Sequence, residues 1–165
     1  MKLLTTPKRK PRFNFMNKTN RFFEKVSSYQ NQGINLPQRQ TKFSAGYDFE
    51  ASQSIEIPPQ TVILVPTGIK AYFPCNEVLL IYVRSSLPLK KQLTLANGVG
   101  VVDSDYYNNL QNEGHIFIAL YNFSKSPVQV FKGERIAQGI FQTFFQITQE
   151  KENNFYRKGG FGSTK

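Results

Sequence analysis

Asp103 and Tyr106 stand three residues apart, directly after Asn97-Gly98-Val99-Gly100-Val101-Val102. Glycine permits positive φ and close backbone approach, and valine favours the pleated surface on either side, so this run predicts a tight hairpin with accessible main-chain groups. A slot of that kind can read the edge of a small planar ligand. A carboxylate and a flat ring then leave the turn beside it, which places a base next to a platform. The same residues also make an ordinary polar hairpin turn, since Asp and Asn are common turn residues. Asp105 rivals Asp103 as the base, but a strand period puts both carboxylates on one side only if the strand continues through the turn.

Three other stretches carry polar equipment. Arg84-Ser85-Ser86 closes the apolar run Val78-Leu79-Leu80-Ile81-Tyr82-Val83 with a guanidinium fork and two hydroxyls. Those groups suit an anionic oxygen, or form a solvated turn. Gly133-Glu134-Arg135-Ile136-Ala137-Gln138 starts as a turn and continues as a strand. Arg135 and Gln138 cannot share one face at period 2, so a bulge or strand end must present both. Near the C-terminus, Gly159-Gly160-Phe161-Gly162-Ser163-Thr164 sets one aromatic in a run of small residues, by itself the composition of a loose tail. His115 is the only histidine and has no companions at metal-ligand spacing, so a surface or strand-end position is expected.

The elements that must position these groups are short. Strand-length segments are expected at Ser54–Ile57, Thr61–Val65, Ile69–Phe73, Glu77–Arg84, Leu93–Asn97, Val99–Val102, Gly114–Asn122, Val128–Phe131 and Ile136–Thr143, separated by turn residues. The Glu77–Arg84 run is almost continuously apolar, which predicts a strand buried on both faces. Arg21–Tyr29 predicts an edge strand, and Ser85–Gln92 the only convincing helical turn. No long 3.6-residue apolar period occurs, so the chain is expected to be all-β, a jelly roll or a Greek-key barrel.

With 165 residues the chain supports a single domain with a substantial core. No apolar run approaches the roughly 20 residues of a membrane helix, so a soluble protein without a membrane partner is expected. The lone cysteine, Cys75, sits in Phe73-Pro74-Cys75-Asn76, a turn between strands. A single structural thiol fits a reducing, cytoplasmic setting. The net charge of +10 is unevenly spread: residues 1–23 hold seven Lys/Arg and no acid, leaving 14 basic and 11 acidic side chains in the remaining 142. The basicity therefore belongs to the tail and not to the globular part. That tail reads as an arm touching nucleic acid or another anionic partner, as an extension ahead of a true start at Met16, or as an organelle-targeting peptide. The expected organisation is a basic, disordered extension at 1–20, a β domain at 21–150 and an arm at 151–165.

Taken together, Ala45-Gly46-Tyr47-Asp48-Phe49-Glu50-Ala51, Arg84-Ser85-Ser86-Leu87, the Asn97–Asn109 stretch, Gly133–Gln138 and Gly159–Thr164 resemble, in order, the five motifs of the homotrimeric dUTP pyrophosphatases (dUTPases). From about Arg21 onward the layout looks most like the Gram-positive bacterial and phage branch. The resemblance implies a jelly-roll-like β-barrel with a flexible glycine-rich C-terminal arm, working as a homotrimer with active sites shared between subunits. It implies hydrolysis of dUTP to dUMP and pyrophosphate, with Mg2+ carried on the substrate phosphates and no direct protein ligand. Such an enzyme keeps uracil out of DNA and supplies dUMP for dTMP synthesis.

By the same resemblance Asp103 activates the water that attacks the α-phosphorus. Asn97, Gly100 and Val102 read uracil, Tyr106 packs on the deoxyribose, and Phe161 stacks over the base. Arg84, Ser85, Ser86, Gln138, Arg157, Ser163 and Thr164 contact phosphates, while Asp48 and Arg135 organise the site, with Arg135 equally able to be a structural partner of Asp48. The chain departs from the family pattern at three places. Arg157 lies one residue closer to Gly159 than usual, Ser86 replaces a frequent Gly, and Tyr107–Glu113 replaces a short Gly-containing turn. A dCTP deaminase shares the fold and the Arg-Ser-Ser-Leu motif, but it needs a carboxylate on the strand after the hairpin, where this chain reads His115-Ile116-Phe117-Ile118-Ala119-Leu120-Tyr121. A non-enzymatic nucleic-acid or regulatory binding protein is the alternative from another class.

Overall fold

The computed structural model describes residues 20–149 together with Gly160. The strands of this part are β1 (Phe22–Lys25), β2 (Tyr47–Glu50), β3 (Ile55–Ile57), β4 (Val62–Pro66), β5 (Ile69–Tyr72) and β6 (Glu77–Val83). After a short helix α1 (Ser86–Lys91) come β7 (Leu93–Leu95), β8 (Gly100–Asp103), β9 (Phe117–Asn122), β10 (Val128–Val130) and β11 (Arg135–Thr143). They form a four-stranded sheet in the order β2-β11-β6-β8, a three-stranded sheet β4-β9-β7, and the pairs β1-β5 and β3-β10. The pairings are antiparallel throughout these sheets.

The sheets share one core. Phe49, Leu79, Ile81 and Ile136 from the four-stranded sheet belong to the same buried cluster as Val65, Leu93, Ile118 and Leu120 from the three-stranded sheet. Antiparallel sheets closed face to face over a common core are the expected all-β, jelly-roll-like arrangement. The helical turn expected after Arg84 forms as α1. It ends at Gln92, whose φ of 53° is left-handed, so the chain reverses directly into β7.

Two expectations about strands give way. The Glu77–Arg84 run is not buried on both faces: Glu77, Leu79 and Ile81 are buried, while Val78, Leu80 and Tyr82 are half-buried. An antiparallel sheet has only one face on the core, and the other face of this one continues onto β8, where Val101 is 61% exposed. Arg21–Tyr29 is likewise not strand throughout. Pairing with β5 stops at Lys25, after which the Val26 amide donates to the Gly68 carbonyl and Ser27–Tyr29 turns as a 3-10 helix.

His115 is the clearest departure: it is an interior residue, not a surface one, only 7% exposed. The Gly68 amide donates to its Nε2 at 2.8 Å, and its ring packs against Tyr29 and Phe117. The pull inward comes from its neighbour, because the Ile116 amide donates to Ile69 and the Ile116 carbonyl accepts the Thr67 hydroxyl at 2.6 Å. Burial pushes the imidazole down to about 4, against a weaker opposing pull from Glu113.

A pH dependence follows from that shift. Folded His115 stays neutral to about pH 4, whereas the unfolded chain takes up the proton near 6.5. The His115 contribution to stability is therefore complete above the unfolded value and is lost as pH falls from 6.5 towards 4. Urea midpoints measured across that range should fall more steeply for the native chain than for His115→Gln, and parallel curves would contradict the assignment.

Candidate active site

Asp48 lies on β2, Arg135 opens β11, and Arg84 follows the last residue of β6. The sheet order puts β11 between the other two strands, so three motifs distant in sequence converge at one sheet end. Asp48 takes a guanidinium on each carboxylate oxygen: Arg84 Nε at 3.1 Å from Oδ1 and Arg135 Nη1 at 3.3 Å from Oδ2. Only 8% of Asp48 is exposed, and its own amide donates to the Gln38 carbonyl at 2.9 Å. One carboxylate thus fixes two guanidinium heads and leaves them further N–H donors for an anion. The irregularity that Arg135 and Gln138 require is present, as the β11–β2 register shifts between Arg135 and Ala137. Gln138 is then paired opposite Asp48, and its side chain lies so close to Gly46 that a Cβ there would meet Oε1 at 2.5 Å.

Beside the two arginines lies a cavity of about 280 Å3 whose wall includes Arg84, Ser86, Arg135 and Lys90. Ser85 occupies the N-cap position of α1 yet its side chain makes no capping hydrogen bond, and the residue is exposed. Lys90 escaped the sequence reading; its only signal was the helical spacing from Ser86 along a polar, basic segment. Its neighbour Lys91 lines the same cavity but is paired there with the Glu134 carboxylate at 2.6 Å, and it donates to the Gln129 carbonyl at 2.8 Å.

The hairpin makes a second cavity of about 200 Å3, with Asn97, Gly100, Val102, Tyr106, Ile81 and Ile116 in its wall. The turn is closed by Gly98 at φ 69° and by the Val99 amide donating to the Asn97 carbonyl at 2.8 Å. Gly160 also borders this cavity, so close to the tyrosine that a Cβ there would lie 2.8 Å from Tyr106 Cε2. Tyr106 is 6% exposed, and its hydroxyl donates to the His115 carbonyl at 2.8 Å. Asp103 ends β8, half-buried, beside this wall; Asp105 is exposed on the 3-10 turn Ser104–Tyr106. Because the strand stops at Asp103, the two carboxylates do not share a strand face.

The segment that follows is tied down by contacts the sequence reading missed. The Tyr107 hydroxyl donates to Glu24 at 2.6 Å, and burial together with that carboxylate pushes the phenol up to about 12. Lys70 donates to Asn108 Oδ1 at 2.7 Å and stands 3.5 Å from Glu113. Glu113 accepts the Ser27 hydroxyl and its amide at 3.1 Å, which holds its carboxyl below the ordinary value.

Within one chain Asp103 stands away from the two arginines, although the hairpin cavity itself reaches Ile81, three positions before Arg84. Asp103 is paired opposite Val78 on β6, six positions before Arg84, which at the rise of a β-strand is about 20 Å. The structure brings together Asp48, Arg84, Ser86, Arg135 and Gln138, and separately Asn97, Gly100, Val102, Asp103 and Tyr106. Arg157, Phe161, Ser163 and Thr164 lie outside the described residues.

The first cluster makes a direct test of its central charge. Replacing Asp48 with Ala leaves two adjacent guanidiniums without their shared acceptor, which should lower unfolding free energy by about 1–3 kcal/mol. Urea denaturation at pH 7 reads this, and Asp48→Asn should lose nearly as much, because its neutral amide cannot hold both cations. An unchanged midpoint in both variants would mean that the pairing is idle.

A model of the family described as dUTPase matches residues 32–165. The deoxyuridine 5'-triphosphate nucleotidohydrolase of Lactococcus lactis is 51% identical over 148 residues, covering 87% of this chain and 97% of that protein. The crystal structure of the dUTPase from Streptococcus mutans superposes with a TM-score of 0.74 at 46% identity, covering 76% of this chain and 98% of that one. A mutant dUTPase of phage phi11 of S. aureus, described for its coordination of a structural Mg(II) ion, shares the fold at a TM-score of 0.64 and 18% identity, over 82% and 98% of the two chains. With the family model spanning four-fifths of its length and a relative this similar, the chain belongs to the dUTPase family.

Proposed function

We propose that this protein hydrolyses dUTP to dUMP and pyrophosphate, with uracil and deoxyribose in the hairpin cavity and the triphosphate on the Arg84–Arg135 side. The observation that carries the reading is the pairing, in one member of the dUTPase family, of a small cavity bounded by Asn97, Gly100, Val102 and Tyr106 with a basic cavity held by Asp48. Main-chain groups of the hairpin match the uracil edge. A mismatched base would leave a buried polar group unpaired, at a cost of about 1–3 kcal/mol. Tyr106, packed against the sugar, leaves no room for a 2′-hydroxyl.

Asp103 takes a proton from a water held in line with the α-phosphorus. The water oxygen bonds to phosphorus, the bond to the α,β-bridging oxygen breaks, and pyrophosphate leaves. Arg84, Ser85, Ser86 and Gln138 receive the phosphate oxygens, and Arg157, Ser163 and Thr164 add to them from the C-terminal segment, with Phe161 over the base. The donor set suits a polyanion: among the described residues no three His, Cys, Asp or Glu side chains converge, and Asp48 is occupied by two arginines. Mg2+ is assigned to the substrate phosphates, where it would neutralise their charge.

The separation of about 20 Å along the strand between Asp103 and Arg84 supports a site assembled from several copies, for which a homotrimer supplies closed symmetry. The half-exposed apolar face at Leu80 and Val101 suits such an interface. Residues 21–150 would form the domain and 151–165 the arm over the site, with residues 1–20 as a basic extension touching an anionic partner. No described helix is long and apolar enough to cross a membrane. The lone cysteine of the sequence, Cys75, which is free, suits assignment of the enzyme to the reducing cytoplasm.

Pyrophosphate release by the purified protein with Mg2+ should occur with dUTP and not with dCTP, dTTP or UTP. Asp103→Asn should lower kcat by about a hundredfold to ten-thousandfold. Equal release from all four nucleotides, or full activity in the variant, would overturn the reading.

A further inference from the structure

Tyr106 is held from two sides. Its hydroxyl proton goes to the His115 carbonyl at 2.8 Å, and its oxygen accepts Asn112 Nδ2 at 2.8 Å. Asn112 belongs to the Tyr107–Glu113 segment, which lies outside the wall of the hairpin cavity. Its own orientation is determined, because Oδ1 accepts both Asn109 Nδ2 at 2.8 Å and the Gly114 amide at 3.1 Å. An amide whose oxygen is engaged twice must turn its NH2 towards the phenol. Asn109 is fixed in turn: Nδ2 also donates to the Tyr106 carbonyl at 2.8 Å, and Oδ1 accepts the amides of Gln111 and Asn112. It is 7% exposed and Asn112 is half-buried, and a network with these groups paired is of the kind that specifies one arrangement.

We propose that Asn112 is a positioning residue for sugar selection: through the Tyr106 hydroxyl it fixes the ring against which the deoxyribose packs. The inference rests on the reading that the hairpin cavity takes the deoxyuridine moiety. A phenol with one partner can rock about its Cβ bond, while one gripped at both proton and lone pair cannot. Rocking would open the space that excludes a 2′-hydroxyl. It would also shift the surface against which Gly160 lies, 2.8 Å from the ring for any added Cβ. The Tyr107–Glu113 segment can serve as the fixed end of this linkage because Glu24, Lys70 and Ser27 anchor it to the first and fifth strands and the turn beside them.

The test is the ratio of kcat/KM for dUTP to that for UTP in the full chain, measured for the native protein, Asn112→Ala, Tyr106→Phe and the double variant. Each single variant should lower the ratio by about threefold to tenfold, the worth of one hydrogen bond, and the double variant should match Tyr106→Phe because Asn112 acts through the hydroxyl. Asn112→Ser, whose hydroxyl can still serve the Gly114 amide but is too short to reach the phenol, should behave as Asn112→Ala and covers the case in which alanine prevents folding. A turn-forming role alone would lower the thermal midpoint and leave the ratio untouched; that result, or additive losses in the double variant, would overturn the inference while dUTP hydrolysis stood. A native protein that does not hydrolyse dUTP would overturn the functional reading and this inference with it.

Discussion

Everything on the Arg84–Arg135 side of the sheet depends on one carboxylate accepting from two guanidiniums. Arg84, just past β6, and Arg135, at the start of β11, would repel each other in the absence of Asp48, whose two oxygens each take one of them. At separations of 3–4 Å, charges near a protein surface interact by several kcal/mol before desolvation and ordering are subtracted, so the carboxylate decides whether the two cations can stand side by side. The sheet supplies the rest. A register shift in β11 frees Arg135 from the alternation that would turn it away from Gln138, and Gly46 leaves space for the Gln138 side chain.

The hairpin cavity is built on a different principle. There the hairpin offers main-chain groups, the tyrosine offers a flat face, and neither has charge to spare. Selectivity in such a cavity comes from geometry, and geometry depends on what holds the ring. The support is partly local, running from Tyr106 to Asn109, Asn112 and His115, and partly remote in sequence, from Tyr107, Asn108 and Glu113 back to residues 24–27 and 70. A segment that looks like a loose replacement for a short turn is therefore a braced one.

The legible part of the fold was its local chemistry. Turn residues, short apolar segments and the absence of a helical period pointed to an all-β chain, and the one α-helix among the described residues fell where polar and basic residues interrupt the strands. The need for an irregularity near Arg135 was readable because strand alternation has a fixed period. What escaped depends on long-range contacts. His115 has no local signal for burial; it is drawn in by Ile116 joining Ile69 and Thr67. The one-sided burial of β6 depends on which face of the sheet meets the core, which an all-apolar run cannot express. Lys90 joins the basic cavity through the turn of α1, and Asn112 reaches the phenol only because Asn109 and Gly114 set its amide. For the candidate site residues, spacing pointed to turns and strand ends, while the roles expected of them came from the five-motif resemblance.

The central claim is that one ligand spans two cavities belonging to different copies of the chain. A crystal structure with a non-hydrolysable dUTP analogue and Mg2+ tests it most directly. The account predicts the uracil edge on main-chain groups of residues 97–102, Asp103 in hydrogen-bond reach of a water in line with the α-phosphorus, and the phosphates on Arg84 of a neighbouring subunit. A base bound away from the hairpin, or phosphates held by the same chain that holds the base with Arg84 of every copy uninvolved, would contradict it.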